Sequence, residues 1–311
     1  MSRMDGSEGV VSEPGPEGLD RLRQAGSIAT SVLREAVLRV RPGVASLQIC
    51  EWVEARIREL GARPAFPCNI GIDSVAAHYT PTIGDDTVIP LGSLVKLDIG
   101  VELDGYIVDT AVSVDLRSPH GYLVDVAREA LRNALSILRH GVKVGEIGSI
   151  VYETATRYRC RPIANLSGHE IKRFNLHAGV SIPNIPVGES QRLEAGHIYA
   201  IEPFITLQEA PGLVINTKTV NIFSLRETSS RAKGLSQEEQ EALREINAIS
   251  RGLPYTVRWL SERVASIHSR LYKRGLVFGY PVLVEKSGAP VSQAEHTVVI
   301  YEDGCEVLTA G

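Results

Sequence analysis

The spacing of apolar residues alternates along the chain between a three-to-four period and short strand-like runs, which sets out an ordered series of helices and strands. From Asp20 onward Ile28, Leu33, Val37 and Val40 form a helical stripe that stops before Arg41-Pro42-Gly43. A second helix is predicted from Ser46 to Leu60, closed by Gly61. Residues 65–72 read as a strand and turn, followed by Ala77-His78-Tyr79-Thr80-Pro81. Next, two β-forming runs flank Asp104-Gly105, the dipeptide best suited to the positive φ angles of a two-residue type I′ turn. Such a turn puts Leu103 opposite Tyr106, Gly100 opposite Asp109 and Asp98 opposite Ala111. Asp98 and Asp109 are then diagonal neighbours on one face of a sheet.

The second half repeats the first. Leu33-Arg34-x-Ala36 recurs as Leu131-Arg132-x-Ala134 and Arg41-x-Gly43-Val44 as Arg139-x-Gly141-Val142, and Ile49 and Val53 match Ile147 and Val151, all at an offset of 98. Gly92-x-Leu94-x-x-Leu97-Asp98 aligns with Gly196-x-Ile198-x-x-Ile201-Glu202 at an offset of 104, and His78 with His177 at 99. Shared order among such matches predicts a duplication: two αβ halves related by a pseudo-twofold, with a site between them. The repeat asks for a second carboxylate after Glu202. Glu295 is the candidate, 93 residues on, where Asp109 follows Asp98 by 11. Much of that gap is helical in pattern. Ser236-x-x-Glu239 is a capping box opening a helix that ends near Gly252, and Val257 to Leu271 forms another helix stopped by Gly275. The expected organisation is therefore a Gly-, Pro-, Ser- and Glu-rich disordered tail over residues 1–18, a catalytic domain over 19–224 and 279–311, and a helical insertion over 225–278.

A chain of 311 residues with 43% apolar content can bury a large core. Its net charge of −4 gives no basic footprint for direct nucleic-acid binding. Cys50, Cys68, Cys160 and Cys305 are widely separated and lack CxxC spacing, so they are expected to be reduced, packed thiols rather than disulfides or zinc ligands. No stretch has the length or apolarity of a membrane span or signal peptide, which points to a cytoplasmic protein without membrane contact.

The apolar neighbours Leu94, Leu97, Ile99, Ile107 and Val108 suggest that the hairpin carrying Asp98 and Asp109 is substantially buried, where two unpaired carboxylates would be costly. Divalent ions held by oxygen ligands are the usual solution. Glu202 and Glu295 supply two more carboxylates, and His169 and His177 stand eight residues apart around a strand or loop. A lone histidine is more often packed than a ligand. His197 and His296 are expected to be structural because alternation turns them away from the neighbouring ligands. His120, His140 and His268 are expected at the surface or at helix ends.

In order along the chain, Ala77-His78-Tyr79-Thr80-Pro81, Leu97-Asp98-Ile99-Gly100, Val108-Asp109-Thr110-Ala111, Ser167-Gly168-His169, Leu176-His177-Ala178-Gly179, Ile201-Glu202-Pro203-Phe204 and Ala294-Glu295-His296-Thr297 resemble the motifs of the type II methionine aminopeptidases of the pita-bread fold. The resemblance covers nearly everything from residue 20; the insertion points to type II rather than type I, and the lack of a long charged N-terminal extension is similar to the archaeal form. It implies an α+β pita-bread architecture around a central antiparallel sheet. It also implies two divalent ions, cobalt, manganese, iron or zinc, ligated by Asp98, Asp109, His169, Glu202 and Glu295. A water between the ions would be activated to attack the first peptide bond. Glu202 would move the proton, His177 would stabilise the scissile carbonyl and His78 would contact the amide nitrogen beyond it. Phe66, Pro67, Leu176 and Tyr280 would wall a methionine pocket. The implied substrates are nascent polypeptide N-termini with a small second residue, met by a monomer in transient association with ribosomes. The nearest alternative is an Xaa-Pro peptidase of the same fold, disfavoured by the insertion and the short N-terminus. A second is a non-catalytic binding homologue, whose signature would be lost ligands, whereas all five are present.

Overall fold

The computed structural model describes residues 14–188, 191–226 and 234–310. Helix α1 (Pro16–Val37) carries proline at its start, where the missing N–H costs nothing, so residues 16–18 are helical and belong to the domain. Residues 1–13 of the expected tail lie outside the described residues. Leu22, Ala25, Ala29, Val32, Leu33 and Ala36 form the buried face of α1. Helix α2 (Ser46–Glu59) buries Ile49, Cys50, Val53 and Ile57. Both helices pack into one core with Leu97, Ile99, Val101, Ile107 and Val108 of the hairpin formed by strands Leu94–Leu103 and Tyr106–Asp115. The hairpin register is the expected one, with Gly100 opposite Asp109 and Asp98 opposite Ala111. Asp104 and Gly105 have φ of 54° and 89°, as a type I′ turn requires.

The second half repeats the plan. Helices α3 (Tyr122–Leu135) and α4 (Val144–Arg157) share a core with Tyr199, Ile201, Val298 and Ile300. These residues belong to a five-stranded antiparallel sheet in which Ile198–Ile201 lies between Ser167–Ile171 and His296–Ile300. Strands Ile198–Ile201 and His296–Ile300 thus correspond to the two arms of the first hairpin, with the intervening chain leaving and returning. The halves meet where Ala111 and Glu295 exchange backbone hydrogen bonds of 3.0 and 3.4 Å.

The excursion runs out along Val214–Leu225 and back along Val277–Glu285, an antiparallel pair with bulges. Between them lie α5 (Gln237–Ser250) and α6 (Glu262–Lys273) around their own small core of Phe223, Ala242, Ile246, Tyr255, Val264 and Leu271. The expected insertion, 225–278, therefore includes strand residues at both ends, and its residues 227–233 lie outside the described residues. The capping box forms: the Ser236 hydroxyl accepts the Glu239 N–H and the Glu239 carboxylate accepts the Ser236 N–H. The single helix expected from Val257 is instead a 3₁₀ turn, Val257–Trp259, followed by α6, whose N-cap Ser261 accepts the Val264 N–H. Helical continuity is lost because Arg258 and Trp259 both reach back to Glu54 on α2. His268 corrects another expectation. It lies inside α6 and is buried, with Nε2 2.9 Å from the Tyr255 hydroxyl, because it falls on the apolar face of its helix. His197 and His296 do take structural partners, Glu170 at 2.7 Å and Thr309 at 2.9 Å. Cys50, Cys68, Cys160 and Cys305 are free thiols. Among the described residues, no helix is long and apolar enough to cross a membrane.

Candidate metal centre

Sheet register alone assembles the site. One row across the strands reads Asn69, Asp98, Ala111 and Glu295, each opposite the next. Pairings Ile201–His296 and Phe204–Gln293 keep one register on either side of Pro203, so Glu202 stands across from Glu295 and extends the row. The next row on the same face, two residues along each strand, reads Gly100, Asp109, Thr297, Ala200 and His169. The five expected ligands thus occupy two adjacent rows. Gly100, Ala111 and Ala200, all with small side chains or none, lie among them.

The distances agree with that map. His169 Nε2 lies 3.5 Å from Asp109 Oδ2 and 3.6 Å from Glu202 Oε1. Asp109, His169 and Glu295 offer ligand atoms all within 4.8 Å of one another, and all three residues are buried. Gln293 Nε2 reaches Glu295 Oε2 at 3.1 Å and Asp98 Oδ2 at 3.4 Å. Asp98 Oδ1, Asp109 Oδ1 and Glu295 Oε1 are buried with no hydrogen-bond partner among the described residues. Burial, joined by mutual repulsion, pushes the Asp98, Glu202 and Glu295 carboxyls well above their ordinary range, and burial takes Asp109 to about 7. Burial lowers His169 to about 4, so its imidazole is neutral and available as a ligand. Orphaned buried oxygens beside a neutral imidazole form an oxygen-rich donor set that fits divalent cations.

Above the centre is a cavity of about 110 Å³. Its lining includes Phe66, His78, Leu176, His177 and Tyr280, as expected from the sequence. Pro67 is not in the lining. Its carbonyl instead accepts Asn69 Nδ2 at 2.9 Å and orients Asn69, which does line the cavity. Sequence reasoning also missed Ile222 on Val214–Leu225 and Pro254 before the 3₁₀ turn. Neither has a local signal, because only the folding-back of the insertion brings them there. Phe66 can cover the floor because Gly100 has no side chain: a Cβ there would sit 2.3 Å from the Phe66 ring.

His78 holds a positive φ of 64° and places Nδ1 3.2 Å from the Pro281 carbonyl. That oxygen can only accept, so Nδ1 carries the proton. Burial lowers the ring to about 4, which leaves Nε2 as a neutral acceptor. The His177 ring centroid is 4.4 Å from that of His169, and burial with this neighbour also keeps His177 below the ordinary histidine range.

Two pseudo-twofold αβ halves closing over an acidic, single-imidazole centre define the pita-bread class of metal-dependent hydrolases. Residues 20–234 match metallopeptidase family M24, and the chain belongs to that family. It is 43% identical over 295 residues to a methionine aminopeptidase of Methanothermobacter thermautotrophicus, covering 92% of this chain and 97% of that one. Among solved structures, a methionine aminopeptidase of Thermotoga maritima superposes with a TM-score of 0.70 at 21% identity, covering 96% and 98% of the two chains. A prolidase of Pyrococcus furiosus shares the fold with a TM-score of 0.62 at 18% identity, covering 96% of this chain and 66% of that one.

Proposed function

We propose that the chain is a type II methionine aminopeptidase that removes the initiator methionine from cytoplasmic polypeptides whose second residue is small. The observation that carries this reading is the two-row set of Asp98, Asp109, His169, Glu202 and Glu295 beneath an apolar cavity open to His78 and His177. Relatives named methionine aminopeptidase at about 40% identity over nearly the whole chain support it. The insertion between Glu202 and Glu295 supports the type II assignment.

Asp98, Asp109, His169, Glu202 and Glu295 would hold two divalent ions, manganese, iron, cobalt or zinc. Such ions, when bound, supply Lewis acidity and the positive charge that lets the buried carboxylates ionise. Glu202, which lines the cavity, accepts a proton from the attacking water and returns it to the leaving amine. A neutral His177 donates a hydrogen bond to the scissile carbonyl as negative charge develops there. His78, with Nδ1–H committed to Pro281, presents Nε2 to the N–H of the peptide bond that follows the scissile one. Phe66, Leu176, Ile222 and Tyr280 receive the thioether side chain.

The test is release of free methionine from Met-Ala-Ser and Met-Pro peptides by metal-stripped protein supplied in turn with each metal, with Leu-Pro as control. Metal-dependent release from the methionine peptides alone is expected, with Glu202→Ala and His177→Ala folded but severely impaired. Cleavage of Leu-Pro, or silence with every metal, would overturn the reading.

A further inference from the structure

Asp109 and Glu295 come from different halves of the molecule, and the seam between them is not an ordinary β-ladder. Among the described residues of the seam, only Ala111 and Glu295 exchange backbone hydrogen bonds directly. Two residues to one side, Asp109 N–H donates to Thr297 Oγ1 at 2.7 Å, and the same hydroxyl donates to the Asp109 carbonyl at 2.7 Å. Two residues to the other side, Gln293 N–H donates to Ser113 Oγ at 2.8 Å, and that hydroxyl donates to the Gln293 carbonyl at 2.8 Å. In an antiparallel ladder a residue gives its N–H and C=O to the backbone of the residue opposite. Here a side-chain hydroxyl takes both groups instead, once on each side, and the local twofold through the Ala111–Glu295 bridge exchanges the two arrangements.

A side-chain hydroxyl can accept an N–H and donate to a C=O together. Thr297 is fully buried and Ser113 is 2% exposed, so no bulk water is at hand to replace either. Each bracket also fixes a residue of the centre: one holds the backbone of Asp109, the other that of Gln293, whose amide touches Asp98 and Glu295. Thr110 Oγ1 adds a hydrogen bond to the Glu295 carbonyl at 2.9 Å.

We propose that Thr297 and Ser113 are positioning residues whose inserted hydroxyls set the separation and register of Asp109 and Gln293 against Glu295, and thereby the geometry of the metal pair. This rests on the ligand assignment proposed above. The brackets hold the two strands apart by one hydroxyl on each side of the Ala111–Glu295 bridge, while the N–H and C=O groups of Asp109 and Gln293 keep partners.

The test is calorimetric titration of metal-stripped protein with Mn²⁺ and Co²⁺, alongside urea unfolding. Thr297→Val keeps the shape and removes the hydroxyl. It is expected to weaken metal binding about 10- to 100-fold, the usual range for groups that orient metal ligands, and Thr297→Ser to restore it to within about threefold. Ser113→Ala is expected to weaken binding about tenfold, with Ser113→Thr restoring it; this arm decides the matter if Thr297→Val does not fold. Thr206→Val is the control: its buried hydroxyl donates to the Pro290 carbonyl at 2.8 Å and touches neither Asp109, Gln293 nor Glu295, so its loss should cost stability without changing metal affinity. Wild-type affinity in a folded Thr297→Val or Ser113→Ala protein, or an equal loss in Thr206→Val, would overturn the proposal. Failure of the wild-type protein to bind either metal would count against the ligand assignment itself.

Discussion

Glu54 and Arg258 fasten the insertion to the frame, and removing the carboxylate should be among the most damaging changes outside the metal centre. Their side chains are 2% and 4% exposed. Glu54 receives both terminal nitrogens of Arg258, the Trp259 indole N–H at 2.6 Å and the Cys68 N–H at 3.0 Å. Arg258 also donates to Thr80 Oγ1 at 2.9 Å and the Pro81 carbonyl at 3.0 Å. In Glu54→Ala the guanidinium stays buried without its counter-charge, which costs about 3–5 kcal/mol. Set against a whole-protein stability of roughly 5–15 kcal/mol, that is a large fraction. Replacing both partners by apolar residues, Glu54→Leu with Arg258→Met, removes the unpaired charge and should recover part of the loss, the Trp259 and Cys68 N–H groups still lacking their acceptor. Urea unfolding followed by tryptophan fluorescence measures this, since Trp259 sits in the joint. Because Cys68 adjoins Asn69 of the cavity lining, Glu54→Ala should also raise KM for methionine peptides. A cost below about 1 kcal/mol for the single variant, or a double variant no more stable than the single, would refute the reasoning.

Gly100→Ala should push the Phe66 ring into the cavity, since the new Cβ would lie 2.3 and 2.6 Å from two ring carbons. A cost of about 1–3 kcal/mol and a raised KM are expected, both relieved by adding Phe66→Leu, and an unchanged KM in steady-state assays would sink the idea. Burial lowers His268 to about 4, so between pH 6.5 and 4 the unfolded chain takes up a proton there that the folded protein refuses. That part of the stability is therefore constant above pH 6.5 and falls as pH drops through this window. Unfolding midpoints measured against pH should show an acid-side loss that is smaller in His268→Gln, and parallel curves for the two proteins would contradict it.

The chain's own pattern was enough for the hairpin at Asp104-Gly105, its register, the capping box at Ser236 and the duplication, because each is set by residues a few positions apart or by a repeated order. Asp98, Asp109, Glu202 and Glu295 were legible because carboxylates in apolar runs stand out without a fold, whereas His169 was singled out only through the resemblance to a known family. Where sequence reasoning failed, the cause was distance along the chain. The turn at Val257–Trp259 replaced a helix because Glu54, some 200 residues earlier, holds Arg258. His268 was buried by an aromatic cluster around Phe223 and Tyr255, and Ile222 and Pro254 reached the cavity only when the insertion folded back. The arrangement of Asp98, Asp109, His169, Glu202 and Glu295 in two rows likewise belongs to the tertiary structure. Local periodicity chooses the face each carboxylate takes, but only the pairing of strands from opposite halves, spaced by Thr297 and Ser113, sets how far apart those faces bring them.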